Sequence, residues 1–281
     1  MKYSAAVRGV EVHGHRGCRG LRPENTLPAF LHATALGVGV LELDVVLSAD
    51  QQVVVSHEPW MSAAICLDPA GKRIEPAAQH QHNLYQLPYG AIRRYDCGQL
   101  QHPGFPTQQN QPAYKPLLRE VVQQVDALTR RLGRGLMHYS VEVKSTPADD
   151  DIFHPSPAPY AAQVLAELRA LRIIERTTLL CFDTRVLQAM RQLSPDMALC
   201  LLVEDALPLA QHIEQLGFVP AVYGPQHRLV TPELVAAVRA LNMRLVPWTV
   251  NAPDDMARML SLGISAITTD YPDRLLRILA A

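Results

Sequence analysis

Two periodicities divide the chain. Short runs rich in β-branched and aliphatic residues alternate with segments whose apolar positions recur at helical spacing. The strand-like runs are 11–17, 40–47, 53–56, 137–144, 178–182, 198–203, 219–223, 244–250 and 265–269. Helical spacing is read from Pro23-Glu24-Asn25-Thr26 to Leu36, with Asn25 or Thr26 as N-cap, and over 117–132, 159–171, 185–193, 207–216, 232–241, 254–262 and from Pro272 onward. Strands separated by helices of this length imply parallel pairing. The exception is Val53–Ser56, which follows Leu41–Leu47 after only Ser48-Ala49-Asp50-Gln51-Gln52. A parallel crossover needs about a dozen residues, so these two runs form an antiparallel hairpin. Eight parallel strands remain, and the expected fold is an α/β TIM (β/α)₈ barrel with an extra hairpin after strand 2.

Residues 59–116 break the alternation. They hold many of the 22 prolines and two Gln/His-rich patches, and a stretch this long inside a compact domain is an excursion with its own structure or a functional loop. Trp60, Met61, Ile65, Tyr85 and Tyr89 in it either line an apolar groove or form a small core of their own. His80, His82 and His102 read as part of a solvated loop, because no acidic or cysteine partner stands at ligand spacing.

Composition narrows the class. With 281 residues, 48% hydrophobic and 19% charged, the chain can bury a sizeable core. A formal net charge of −1 gives no reason to expect nucleic acid or an anionic membrane as partner. No apolar run is long enough for a membrane span or a signal-peptide core, so a cytoplasmic protein is expected unless a leader is removed. The five cysteines, without C-x-x-C spacing, read as reduced.

In a barrel of this kind, chemistry gathers at the C-terminal ends of the strands. Here those ends carry His15, Glu42 with Asp44, Glu142 with Lys144, Asp183, Glu204, Trp248 with Asn251, and Asp270. Asp183 and Asp270 precede helices and read as N-caps. Glu42 and Asp44 lie two apart on one strand face, and His57 ends the hairpin beside them. Glu142 repeats that spacing with Lys144, either converging on the same mouth or forming a solvated ion pair. Three carboxylates without thiolates make an oxygen-rich site suited to one divalent cation, Mg²⁺ or Ca²⁺. His15 and His57 are placed to serve as general acid and base.

His15-Arg16-Gly17, Pro23-Glu24-Asn25-Thr26, Glu42-x-Asp44, the hairpin ending in His57, Glu142-x-Lys144, Trp248-Thr249-Val250-Asn251 and Thr269-Asp270-Tyr271-Pro272 together resemble the glycerophosphodiester phosphodiesterase family. The motifs run in the family's order from residue 15 to 273. The resemblance implies a TIM barrel shared with phosphatidylinositol-specific phospholipases C and hydrolysis of a small-molecule glycerophosphodiester to glycerol 3-phosphate and an alcohol. It implies His15 and His57 as the catalytic pair, Glu42, Asp44 and Glu142 as metal ligands, and Arg16 and Lys144 at the phosphate, with Trp248 also on the substrate side. Residues 1–281 then form a single catalytic domain whose insertion 59–116 caps the C-terminal face. Two departures concern the substrate side: Glu58 and Met61-Ser62-Ala63-Ala64-Ile65 replace the family's usual Asp and Arg-Thr-Thr, and the insertion is rich in proline and glutamine; Lys115-Pro116-Leu117-Leu118 occupies the place of the family's usual Ile-Pro-Thr-Leu. Two other readings are a lysophospholipase D-like cleavage of lysophospholipids and a barrel that only binds a phosphorylated ligand.

Overall fold

The computed structural model describes residues 9–281; residues 1–8, part of the N-terminal stretch read above for a leader, lie outside the described residues. The elements run β1 (Glu11–Gly14), α1 (Leu27–Leu36), β2 (Val40–Leu47), β3 (Val53–Val55), α2 (Tyr89–Ile92), α3 (Leu118–Arg131), β4 (His138–Val143), α4 (Pro157–Ala170) and β5 (Thr177–Cys181). There follow α5 (Thr184–Leu193), β6 (Ala198–Val203), α6 (Leu209–Leu216), β7 (Val222–Pro225), α7 (Pro232–Ala240), β8 (Arg244–Leu245), α8 (Pro253–Ser261), β9 (Ala266–Thr269) and α9 (Pro272–Ala280).

The strands are ordered β8-β7-β6-β5-β4-β2-β1-β9, all parallel, with β3 attached to β2 alone and antiparallel to it. β8 is shorter than the sequence pattern suggests because Pro247 interrupts it. The residues beyond it still bridge to β9: Thr268 N–H donates to Pro247 O at 3.1 Å, and Val250 N–H donates to Thr268 O at 2.9 Å. The result is a nearly closed (β/α)₈ barrel. The hairpin expected from the short 47–53 connection is present, with Val46 opposite Val54.

Alternation along β2 explains how one strand serves two purposes. Leu41, Leu43, Val45 and Leu47 face the helices and join Phe30, Leu118, Val121 and Val141 in the main core. The opposite face carries Glu42 and Asp44 at the mouth, then Val46. That valine belongs to a second core built by the insertion, with Val54, Met61, Ile65, Leu84, Ile92 and Leu117.

The insertion corrects two expectations. Cys66 and Cys97 are joined in a disulfide, with Cα atoms 4.1 Å apart, whereas Cys18, Cys181 and Cys200 are free and buried. An odd count hid the pair, and the paired cysteines are 31 residues apart in a segment without periodicity. The cysteines therefore give no support to a reducing compartment. The histidines are only in part solvated: His80 is exposed, as expected, with its ring 4.2 Å from that of Trp60, whereas His82 and His102 are half-buried, His82 Nδ1 meeting Tyr95 Oη at 2.8 Å and His102 Nε2 lying 3.5 Å from Glu24 Oε2. Met61 and Ile65 are interior residues of the insertion's core, and Trp60 and Tyr89 pack against it, while Tyr85 packs on the main core. No helix of the described residues is long and apolar enough to cross a membrane.

Candidate active site

The loop after β1 makes the site possible. Gly17, at φ +85°, lies so close to α1 that an added Cβ would stand 2.8 Å from Ala29 C, which only glycine tolerates. Arg16 is itself in the left-handed region at φ +48°, a strained conformation for a residue with a side chain. That strain turns its backbone N–H onto Glu42 Oε2, at 2.7 Å. Thr26 caps α1, and this frees Asn25, also left-handed at φ +54°, to donate from Nδ2 to Asp44 Oδ2 at 2.8 Å.

Glu42, Asp44 and Glu142 converge: each offers a carboxylate oxygen within 4.8 Å of the others, and all three are buried. Register explains the meeting, since Asp44 pairs with Glu142 across β2 and β4. Burial raises the pKa of Glu42 well above the usual carboxylate range, and the charges of Asp44 and Glu142 push it further. Glu142 is likewise raised by burial, against the pull of Lys144. Asp44 is also penalised by burial but is held low by Arg16, His57 and Lys144. Crowded oxygens of this kind suit a hard cation, and Asp44 Oδ1 is buried without a hydrogen-bond partner, as a ligand atom would be. The three side chains fit a divalent ion.

The positive groups stand around this triad. Arg16 Nη1 donates to Glu24 Oε1 at 2.6 Å, and its Nε lies 3.4 Å from Asp44 Oδ2 without making a hydrogen bond. Burial opposes its charge, but Glu24, Asp44 and Glu42 hold the proton on more firmly than usual. Lys144 Nζ reaches Glu142 Oε1 at 2.5 Å and Asp44 Oδ1 at 3.7 Å. The Glu142–Lys144 ion pair is thus real but mostly buried, not solvated; Glu142 is only 8% exposed.

Both histidines are anchored through Nδ1. His15 Nδ1 stands 2.6 Å from Asp270 Oδ1, and His57 Nδ1 stands 2.9 Å from Glu58 Oε1. An ionised carboxylate only accepts, so in each pair Nδ1–H donates and Nε2 is left for chemistry. His15 Nε2 lies 3.8 Å from Glu42 Oε2. Burial lowers the His15 pKa, partly offset by Asp270.

Asp270 corrects the N-cap expectation. It is fully buried and accepts from His15, from Arg19 Nε at 3.0 Å and from Asn251 Nδ2 at 2.7 Å, whereas the cap position of α9 is Tyr271. Asp183 does cap α5, accepting from Arg185 N–H at 3.0 Å. Two further residues escape sequence reasoning. Arg19 stacks over Phe105 of the insertion, 4.7 Å from its centroid. Lys115 is buried and donates to Ser56 Oγ at 2.8 Å, with its pKa lowered by burial. Their only sequence signals are proximity to the His15 motif and the unusual lysine before Pro116.

One cavity of about 350 Å³ joins these groups. Its wall includes His15, Arg16, Arg19, Glu42, His57, Glu142 and Lys144, and on the other side Phe182, Leu202, Glu204 and Trp248. None of Trp60, Met61, Ile65, Tyr85 or Tyr89 lines it. Trp248 Nε1–H donates to Gly224 O at 2.7 Å, which presents the indole's apolar surface to the cavity.

The sequence profile of the glycerophosphoryl diester phosphodiesterase family matches residues 15–274. A glycerophosphodiester phosphodiesterase of Bacillus altitudinis is 26% identical over 273 residues, covering 96% of this chain and 98% of that one. Among solved structures, a Silicibacter pomeroyi DSS-3 protein assigned as a glycerophosphoryl diester phosphodiesterase superposes with a TM-score of 0.85 at 33% identity, covering 96% and 93% of the two chains. An Oleispira antarctica phosphodiesterase, solved with its product sn-glycerol-3-phosphate, shares the fold at a TM-score of 0.74 and 19% identity, covering 96% and 97%.

Proposed function

The chain belongs to the glycerophosphoryl diester phosphodiesterase family and is a phosphoric diester hydrolase, and from that premise we propose that it releases glycerol 3-phosphate and an alcohol from small glycerophosphodiesters, with His15 and His57 moving the protons. The observation that carries this reading is the meeting of three buried carboxylates, two carboxylate-anchored histidines, buried Arg16 and half-buried Lys144 around one cavity.

A phosphodiester brings one negative charge and gathers more on its oxygens in the transition state. Glu42, Asp44 and Glu142 would hold a single divalent cation, Mg²⁺ or Ca²⁺, whose chemistry is to neutralise that charge. Arg16 and Lys144 line the same cavity and would add fixed positive charge beside those oxygens. One histidine takes the proton of the attacking hydroxyl through Nε2; the attacker is water, or the neighbouring substrate hydroxyl, which closes a cyclic phosphate that water then opens to glycerol 3-phosphate. The other gives a proton to the leaving alkoxide, so no free alkoxide forms at neutral pH. Asp270 and Glu58 keep the two rings oriented. The insertion 59–116 caps the mouth within one catalytic domain, a role supported by Phe105 against Arg19 and by Gln108 Nε2 donating to Arg19 O at 2.6 Å.

The test is release of glycerol 3-phosphate from glycerophosphocholine and glycerophosphoethanolamine with Mg²⁺, with Ca²⁺ and with chelator, for the wild type, His15→Ala and His57→Ala. Turnover should vanish with chelator and fall by about 10²–10⁴-fold in each variant. A folded wild type that leaves both diesters intact with either ion overturns the reading.

A further inference from the structure

Beneath the mouth the barrel interior is open. Two residues before His15 stands His13, before Glu142 stands Ser140, before Leu180 stands Thr178, and before Asp270 stands Thr268. Along a strand, residues two apart lie about 7 Å apart. His13 pairs in register with Thr268, and Ser140 with Thr178, and all four line the cavity that holds the acids above. Barrels of this fold fill such a level with branched apolar side chains. Here two of the residues are buried, Ser140 at 4% and Thr268 at 5% exposure, and their hydroxyls, which make no side-chain hydrogen bond among the described residues, open onto the cavity. Hydroxyls that open onto a cavity and are not engaged by the protein can both donate to and accept from a ligand's hydroxyl. Next to this level stands an ion cluster, in which His13 Nε2–H donates to Glu11 Oε1 at 2.6 Å and Arg244 Nη2 donates to the same oxygen at 2.9 Å, and a second cavity is also lined by His13, Ser140 and Thr178.

We infer that this ring is a polyol-recognising floor, in which Ser140 and Thr268, flanked by Thr178 and His13, bind the terminal hydroxyl of the glycerol end of the substrate while its phosphorus sits at the mouth. The inference rests on the function proposed above and adds which end of the diester enters the barrel. A three-carbon chain hung from phosphorus has the reach to cross one level of the wall. Leu180, Leu202 and Val246 flank its carbons, and hydroxyls that both donate and accept meet its end. A level of hydroxyls beside an ion cluster offers an acyl chain no apolar surface to bury, and so favours a polyol over a lipid tail.

The test compares glycerophosphocholine with the analogue lacking only the hydroxyl on the carbon farthest from phosphorus. The middle hydroxyl is kept, so a cyclising mechanism stays available to both. Sites built to bind a hydroxyl reject the analogue lacking it strongly, so kcat/KM in the wild type should favour glycerophosphocholine by about 100-fold or more. Ser140→Ala combined with Thr268→Val should reduce that preference to a few-fold, and Thr268→Ser alone should retain it. Calorimetry gives a second reading, with sn-glycerol 3-phosphate binding the wild type more tightly than the matching deoxy monophosphate and the double variant binding both alike. Equal treatment of both pairs by the wild type overturns the floor. If the wild type cleaves neither diester, the phosphodiesterase reading falls instead, and the two monophosphates alone decide the floor.

Discussion

The two halves of the barrel mouth are built on opposite principles. From β9 through β1 and β2 to β4, the wall carries Asp270, His15, Glu42, Asp44 and Glu142, nearly all of them buried. From β5 to β8 the interior wall is Leu180, Cys200, Leu202, Val222 and Val246, with Trp248 packed on them. The charged arc is internally costly: two of its three clustered acids are pushed up in pKa by burial and by neighbouring charge. The apolar arc is relaxed, with Phe182 and Trp248 meeting edge to face at 5.5 Å. Strain and unmet charge are thus concentrated where an ion and a phosphate would relieve them, and the opposite side supplies shape. Chemistry and specificity can therefore be tested separately.

The largest effect is expected in the charged arc. Asp44→Asn removes a ligand charge with little change of volume, and turnover should fall by at least about 10³-fold, or about 4 kcal/mol. Added Mg²⁺ or Ca²⁺ should raise the melting temperature of the wild type, since anything bound only to the native state stabilises it, and should not raise that of the variant. A variant that keeps both responses would place the ion elsewhere.

Next comes the support behind that arc. The face of β2 that carries Glu42 and Asp44 continues into Val46 and the insertion core, which Cys66–Cys97 staples across 31 residues. Cys66→Ser should lower unfolding stability by about 3 kcal/mol in urea titration. If the residual folded enzyme also loses its turnover, the insertion core sets the position of the acids as well as covering them.

Asp270→Asn leaves the apolar arc untouched and exchanges the carboxylate that accepts from His15 and Arg19 for an amide. Groups that orient an active side chain from behind are worth about 10–100-fold, and that loss should appear in kcat with KM little changed. A change confined to KM would make Asp270 a cavity-shaping residue rather than an anchor for the imidazole.

Legibility followed the same division. The charged arc and the barrel were readable because strand alternation forces Glu42, Asp44 and Glu142 to one face, and because short connections force β3 to be antiparallel. Asp270 was read as a cap because an aspartate before a helix has two uses, and only the distant His15 and Asn251 select between them. The pairing of Cys66 with Cys97 was not readable, and Lys115 stood out only as an unusual lysine before Pro116, with nothing to place it near Ser56. Their partners lie in the insertion or across it, where no period relates sequence separation to distance. The hydroxyl floor was hidden differently: Ser140 and Thr268 sit in ordinary strand patterns, and only the structure shows that they line the cavity.

The smallest effect should come from Trp248→Phe. The substitution keeps an aromatic surface toward Phe182 and the cavity but deletes the Nε1–H that donates to Gly224 O. A hydrogen bond of this kind is worth about 1 kcal/mol net, so stability should drop by roughly that amount. If the apolar arc only shapes the cavity, KM should rise a few-fold while kcat is unchanged, because a contact made equally in ground and transition states affects binding alone. A hundredfold fall in kcat would mean that β8 takes part in the chemistry, and the division of the mouth into a reacting arc and a shaping arc would fail at Trp248.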